Sequence, residues 1–521
     1  MPRGIRAIAA GVLPFSTYAI DSLGIQLSGG MGKMNLKAVC SVSLIIALLA
    51  PDAFAQVSSD ALTSAQVASI DRYVVAEMAR QRIPGAEVGI YRDGHVVLAK
   101  GYGLANVELK VPVTATTLMQ SGSVGKQFAA TAVMMLVEQG KVGLDDSIVK
   151  YFPDAPPSWR RIKVKNLLSH TSGLAEYGSG ERTKPGGSFD LRLDFSEDEL
   201  VHKIEALPIE FKPGDKWDYR NTNYVLLGVL IHRVTGKFYG DYLSEKIFAP
   251  LGMDSTRIIS DRDIIPGRSS GYEIEAGQLK NQKPVSATFD STADGALYFN
   301  VVDLEKWDRA LYGTSLVSKD SLKRMWTTFV LNDGKPNPVG YGYAWFVKDV
   351  NGHRVIEHSG AWQGFTCVIS RYVDDRLTVV VLTNLDAGHS WPGYIERVVA
   401  GLVNPALMPK PSEPIQDTQP KIANHLREVL KAALAGKNVS ADFTADSGYA
   451  FSPSDAADLR SQLPENWQKD SFVLIKRNDS GGMLTSVFRV GEPGDTRAIG
   501  VQTDASGKFG VFAVRADPDN R

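Results

Sequence analysis

The sequence predicts an α+β fold: an antiparallel sheet flanked by helices, a separate helical lobe, and a small C-terminal α+β domain. Three observations carry this. Two short β-type runs, Glu87–Arg92 and His95–Lys100, are joined by Asp93-Gly94, the strongest short hairpin signal. Four more β-type runs crowd between Tyr341 and Asn384, while helical patterns stand before and after them. Five prolines, at 405, 409, 411, 414 and 420, then separate this material from a helix-then-strands pattern of its own. With 521 residues and 44% hydrophobic content, the chain can bury a large core in more than one domain. Its net charge of −1 gives no field for nucleic acid or an anionic membrane, which leaves small-molecule or peptide chemistry.

In chain order, Met34–Ala50 has a basic start and an apolar run from Ala38, followed by Ala53-Phe-Ala55. This reads as a secretory signal over residues 34–55, with an apolar run too short to span a bilayer. Residues 1–33 lie upstream of a complete signal that could itself start at Met31 or Met34, and they carry no usable motif. Cleavage after Ala55 implies a periplasmic or secreted protein. It removes Cys40 and leaves Cys367 alone, so no internal disulfide can form.

Val67, Ile70, Val74 and Met78 recur at helical spacing from Ser64 to Gln81, and Pro84-Gly85 stops the pattern. The hairpin follows, with His95 read as a surface residue. Next comes Met119–Phe128, running into the apolar segment Ala129–Leu136. If a helix starts at Ser123, Lys126 shares its face and its amine can reach the Ser123 hydroxyl. A serine nucleophile needs a base so placed, and a helix N-terminus favours the developing negative charge. Ser147-Ile-Val-Lys150 repeats the spacing beside Asp145-Asp146, whose carboxylates would keep Lys150 charged, so it reads as a helix cap.

The string Leu-Leu-Ser-His170-Thr-Ser-Gly-Leu is followed by a long loop, Tyr177–Asp190, of the kind that walls a pocket. Ser196-Glu-Asp-Glu199 is a capping box for a short helix ending near Ala206. Tyr219-Arg-Asn221 falls on a loop just ahead of a buried helix, Val225–Gly236, where catalytic side chains tend to lie. Tyr298-Phe-Asn300 repeats that spacing, but there Asn300 reads as the cap of a helix over Asp303–Leu311. The late strands are Tyr341–Lys348, Val355–Ser359, Thr366–Tyr372 and Leu377–Asn384. In His358-Ser-Gly360-Ala-Trp-Gln-Gly364, two glycines are read as a tight joint between strands that allows close backbone approach. Trp391–Leu402 is a closing helix. The terminal helices should pack on the sheet, with the pocket between sheet and helical lobe.

Ser123-x-x-Lys126, Tyr219-x-Asn221 and His358-x-Gly360, in this order and with these flanks, resemble the three active-site motifs of one serine hydrolase superfamily. It is the superfamily of class C β-lactamases and low-molecular-mass penicillin-binding proteins, with D-aminopeptidases, amidases and carboxylesterases among its members. The resemblance covers Ser64 to Val403. It implies a β-lactamase/transpeptidase-like fold without cofactor or metal; the eight histidines are scattered and no His-Glu-x-x-His occurs. It implies that Ser123 attacks a carbonyl to form an acyl-enzyme while Lys126 and Tyr219 share the proton, either serving as base. Asn221 would orient Lys126 and bond the substrate amide, and the backbone N–H groups of Ser123 and Ala361, the latter on a strand starting after Gly360, would hold the oxyanion.

His358 departs from the lysine that β-lactamases of this type carry. The histidine form resembles peptidase and esterase branches more closely. The alternative for His358 is a histidine that merely caps a strand end. As a cation it would assist carboxylate-bearing substrates only when protonated, giving a specificity that changes between roughly pH 6 and 8.

The expected organisation is thus a hydrolase domain over 56–404, a proline-rich linker over 405–420 and an accessory α+β domain over 421–521. The last has a helical pattern from Ile422 and strands over Ser471–Lys476, Met483–Val490, Ala498–Thr503 and Gly510–Val514. It would shape the pocket rim, bind a partner or mediate dimerisation. The reading is an exported serine hydrolase of an amide or ester. A β-lactamase and a slowly deacylating penicillin-binding receptor are the alternatives.

Overall fold

The structure is a computed structural model. It describes residues 61–517 except 179–181, 184, 445–452, 469–471, 481–482 and 493–495. The signal over 34–55 and the segment before it lie outside the described residues. Among the described residues, no helix is long and apolar enough to cross a membrane.

Helix α1, Ser64–Gln81, opens on a capping box in which Thr63 and Gln66 satisfy each other's backbone N–H groups. It buries Ile70, Val74 and Met78, as its spacing predicts. Strands β1 (Gly85–Arg92) and β2 (His95–Asn106) form the hairpin, with Asp93 and Gly94 both at positive φ, 55° and 76°. His95 is exposed. After the short strands β3 (Val111–Pro112) and β4 (Met119–Gln120) comes α2, Lys126–Glu138. It is apolar on almost every side and buried from Lys126 to Met134, as a helix in the middle of a lobe must be.

Ser147 stands at the N-cap of a short turn, Ile148–Lys150, but its hydroxyl donates to the Arg160 carbonyl at 2.8 Å instead of capping. Lys150 pairs with Asp146 at 2.7 Å. Helix α3, Glu197–Glu205, has the expected Ser196 capping box. Helix α4 runs over Asn221–Thr235, so Asn221 opens the helix itself while Tyr219 stays on the loop.

Short strands β5 (Arg257–Ile258), β6 (Tyr272–Glu275), β7 (Gln278–Asn281) and β8 (Leu297–Phe299) lead to α5, Val301–Ala310. Asn300 caps α5, its side chain accepting from the Val302 and Asp303 amides. Strands β9 (Phe346–Val350), β10 (His353–Trp362), β11 (Phe365–Tyr372) and β12 (Leu377–Thr383) complete the sheet, and α6 covers Pro392–Val403.

The main sheet has seven strands in the order β3-β2-β1-β12-β11-β10-β9, all antiparallel neighbours, with first and last parts of the chain meeting at its centre (Val88 opposite Val381). On one face α1 and α6 enclose Ile70, Val74, Val88, Val381, Ile395 and Val399. The helical lobe closes the other around Phe128, Leu226, Trp307 and Ile369. Of the joint expected over His358–Gly364, only Gln363-Gly364 makes the turn, with φ 40° and 76°. Gly360 and Ala361 stay in register with Cys367 and Thr366, so the motif lies inside β10 and Ala361 belongs to the same strand as His358. Strand β9 pairs with β10 only from His353 to Glu357.

Past α6, Pro405–Leu407 forms a turn, and Leu407 is buried in the core beneath the sheet. The start of the proline-rich stretch therefore packs with the hydrolase region. Helix α7 (Pro420–Leu434), helix α8 (Pro453–Gln462) and strands β13 (Val473–Ser480), β14 (Met483–Val490), β15 (Arg497–Thr503) and β16 (Phe509–Ala516) follow. The four strands form a simple antiparallel meander around a separate apolar cluster that includes Leu430, Phe488 and Ile499.

Candidate active site

Ser123 sits in a tight turn, Gly122–Gly125, immediately before α2, and Lys126 is the first residue of that helix. The turn is pressed against β10 so closely that no side chain fits between. A Cβ on Gly360 would lie 2.1 Å from the Ser121 carbonyl oxygen and 2.9 Å from the Ser123 nitrogen. One on Gly122 would lie 2.3 Å from the Ala361 nitrogen. The two glycines thus bring the Ser123 and Ala361 amides onto touching backbone segments. Ser121 pins the turn from behind: its hydroxyl donates to the Gly295 carbonyl at 2.8 Å, and its carbonyl accepts from the buried Cys367 thiol at 2.9 Å.

Lys126 Nζ donates to Ser123 Oγ at 2.9 Å, to Asn221 Oδ1 at 2.8 Å and to the Asp294 carbonyl. The side chain is fully buried, and burial pulls its amine down to about 8, against the opposing pull of Asp294 and Glu176. The Tyr219 ring lies 5.1 Å from the same nitrogen. Burial pushes the Tyr219 phenol well above its ordinary range; the Ser123 hydroxyl acts the other way, and Asp294 and Glu176 add to the rise. Of the two candidate bases, only Lys126 is brought near neutrality.

The loop carrying Tyr219 rests on His170, whose ring lies 4.2 Å from that of Tyr219. His170 Nδ1 accepts from the Arg220 amide at 3.3 Å and from the Asn223 side chain at 3.2 Å. Burial drives its pKa well down, with the Lys126 charge adding to the effect, so it acts as a neutral acceptor. Asn221, held through its amide by Glu176 Oε2 at 2.5 Å, turns its carbonyl oxygen to Lys126.

His358 does not stand as an exposed cation. It is 2% exposed; its Nδ1 lies 2.6 Å from the Ser359 carbonyl, and its Nε2 faces the Tyr341 hydroxyl at 3.0 Å. Burial, with Lys126 nearby, lowers its pKa to about 3. The pH-switched carboxylate partner expected from an ordinary imidazole is disfavoured, because burial leaves this ring little solvent to stabilise its charge.

Ser123 separates two hollows. A cleft of about 660 Å³ is lined by Tyr219, His358, Gly360 and Ala361 and runs to Ser390, Trp391 and Arg397. A small pocket of about 90 Å³ lies on the other side, between Asn221, Tyr177, Phe289, Asp294 and Trp362. Gly178 and Thr183, from the long loop, wall the small pocket. All seven residues singled out in the sequence converge here: six line one hollow or both, and Lys126 lies beneath Ser123. Among the described residues, no cluster of three or more His, Cys, Asp or Glu could hold a metal ion.

A family model described as Beta-lactamase matches residues 70–400. The chain belongs to the Beta-lactamase family. Penicillin-binding protein 4* of Bacillus subtilis (strain 168) is 29% identical over 305 residues, 56% of this chain and 66% of that protein, so the match spans just under two thirds of that relative. An octameric penicillin-binding protein homologue from Pyrococcus abyssi superposes with a TM-score of 0.57 at 25% identity, over 84% of this chain and 90% of its own. That share is larger than the hydrolase region alone supplies, so the likeness runs on into the C-terminal α+β unit. A D-stereospecific amidohydrolase from a Streptomyces species superposes with a TM-score of 0.55 at 25% identity, over 63% of this chain and 97% of its own.

Within this Beta-lactamase family site, three residues have no signal in the sequence. Asp294 holds Lys126 through its carbonyl and accepts from the Tyr177 hydroxyl at 2.9 Å. Glu176 anchors Asn221, and burial raises its pKa while the Gly178 and Asn221 amides oppose the rise. Tyr341, fully buried, fixes His358. Each is joined to its partner only by folding, at separations too long for any spacing pattern to register.

Proposed function

We propose that this Beta-lactamase family member is an exported serine hydrolase that cleaves an amide or ester through an acyl-Ser123 intermediate. The observation that carries this is the buried Lys126 amine, 2.9 Å from Ser123 Oγ and lowered to about 8. In its neutral form Lys126 takes the Oγ proton as Oγ attacks the carbonyl carbon. The Ser123 and Ala361 amides stabilise the oxyanion. The proton then passes, through Lys126 or the Tyr219 hydroxyl, to the leaving nitrogen or oxygen as its bond to carbon breaks. Water then gives a proton to Lys126 as it attacks the acyl carbon, and Lys126 returns that proton to Oγ as the ester bond breaks, releasing the carboxylic acid and restoring Ser123 and the neutral amine.

Tyr219 lines the larger cleft and Asn221 the smaller pocket, so the leaving group lies along the cleft and the acyl group in the pocket. Asp294 and Glu176 on the acyl side disfavour an anionic acyl group. In the cleft, Lys348 and Arg397 both pair with Glu357 and His358 is neutral. A β-lactam carboxylate would meet no unpaired cation among these residues, which supports amide or ester cleavage ahead of β-lactam hydrolysis. The Streptomyces amidohydrolase supports the amide. The octameric Pyrococcus homologue supports self-association, to be measured by light scattering. Export is supported by the signal pattern over 34–55 and is tested by N-terminal sequencing of secreted protein.

The deciding experiment is a panel of p-nitrophenyl esters, D-amino acid anilides, D-alanyl-D-alanine peptides and nitrocefin, run on wild type and Ser123→Ala. Mass spectrometry after a fluorophosphonate or penicillin pulse separates a hydrolase from a receptor. A penicillin adduct decays in the first and persists in the second.

A further inference from the structure

One wall of the larger cleft is the loop Leu385–Trp391 between β12 and α6, which contributes Ala387, Ser390 and Trp391 to the lining. Besides the Ser390 hydroxyl, which lies 2.8 Å from the hydroxyls of Thr366 and Thr383 in the sheet, three anchors fix this loop. At its start the Asp386 amide donates to the Tyr272 carbonyl of β6 at 3.0 Å. At its end the Trp391 amide donates to Gln81 Oε1 of α1 at 2.7 Å. Between them lies His389, 9% exposed, whose Nδ1 bonds Asp386 Oδ1 at 3.0 Å within the loop. Its other nitrogen, Nε2, lies 3.1 Å from the Gln462 side-chain nitrogen at the end of α8, in the C-terminal α+β unit. With Nδ1–H given to a carboxylate, Nε2 is an acceptor and the Gln462 amide donates to it. Helix α8 also leans on the turn of the β6–β7 hairpin, where a Cβ on Gly277 would stand 4.0 Å from the Ala457 carbonyl oxygen.

We infer that the C-terminal unit sets leaving-group specificity through one contact, Gln462 to His389, which holds the cleft wall Ala387–Trp391 in place. Both are positioning residues. His389 is the relay, because Ala387 before it and Ser390 after it line the cleft while its Nε2 meets Gln462 of α8. The C-terminal unit contributes none of the cleft-lining residues described here, so its influence runs through the loop. This rests on the leaving group lying in that cleft.

The test uses the full chain with Gln462→Ala, His389→Ala and the double variant. Two esters share one acyl group and differ in the alcohol, methyl against naphthyl. For each single variant, KM for the naphthyl ester should rise about three- to ten-fold, the worth of one hydrogen bond. Its kcat, the methyl ester kinetics and the fluorophosphonate labelling rate should stay within about two-fold of wild type on the same scale. The double variant should be no worse than either single one. Equal losses on both esters, additive losses in the double variant, or no change at all would overturn the proposal. Hydrogen exchange decides it independently of activity. The His389 and Ser390 amides, which bond to Asp386, should exchange faster in Gln462→Ala, and unchanged protection overturns the proposal. Loss of labelling in wild type would instead overturn acyl-Ser123.

Discussion

Tyr341 Oη donates a hydrogen bond to His358 Nε2 at 3.0 Å, because the other ring nitrogen is held 2.6 Å from the Ser359 carbonyl, which can only accept. The ring is therefore neutral, and protonation waits until about pH 3. A neutral and an anionic substrate with the same scissile bond should show parallel KM–pH curves between pH 6 and 8. A rise in KM confined to the anionic one would mean that the ring carries charge there.

Lys126 gives the opposite expectation. With its amine lowered to about 8, falling pH protonates it and removes the base. kcat/KM should climb with pH, fall about ten-fold for each unit below the inflection, and level off above about pH 8. A flat profile from pH 6 to 9 would exclude Lys126 as the base in the free enzyme.

Ser123→Ala should abolish turnover and labelling together, whereas Ser147→Ala leaves both intact, since Ser147 only bonds the Arg160 carbonyl. Lys126→Ala should lower turnover by about two to four orders of magnitude. Intact-mass analysis after fluorophosphonate treatment, followed by peptide mapping, locates the adduct; an adduct on Ser147 would sink the assignment.

Gly360→Ala forces a methyl group into a space where the Ser121 carbonyl oxygen stands 2.1 Å away. The turn bearing Ser123 must retreat from β10, so labelling should slow at least about 100-fold while overpacking costs about 1–3 kcal/mol. Labelling kinetics and a thermal melt check both; wild-type labelling would mean that the close approach is not needed.

We place the end of the hydrolase unit after Met408, because Leu407 is buried in its core and Asn351 bonds the Ala406 and Met408 carbonyls. A chain ending at Lys410 should fold and keep a labelled Ser123, with altered preference for large leaving groups. One ending at Asn404 should be destabilised by loss of Leu407, by about 2–5 kcal/mol. Urea titrations of both, followed by tryptophan fluorescence, distinguish them.

Much of the architecture was legible because local chemistry repeats itself. The Asp93-Gly94 turn, the Ser196 capping box, the Asn300 cap and the four C-terminal strands all follow from short-range patterns. Helix α8 was missed: Pro-Ser-Asp-Ala-Ala-Asp-Leu-Arg-Ser-Gln offers one long apolar side chain, Leu459, so no helical period appears. The joint was drawn too long, taking in Gly360 with Gly364, because a glycine needed for close packing looks the same in sequence as a glycine needed for a turn.

By itself the sequence determined the motif residues and the order of their elements, because Ser123 and Lys126 share one turn of chain and Tyr219-x-Asn221 stands just ahead of a buried apolar helix. Only the tertiary structure decided their states. Burial lowers Lys126 against the pull of Asp294 and Glu176, raises Tyr219 with their help, and together with the Tyr341 hydrogen bond holds His358 neutral. Desolvation and charge at a few ångströms set a pKa, and neither exists until residues 17 to 168 positions apart are folded onto one another.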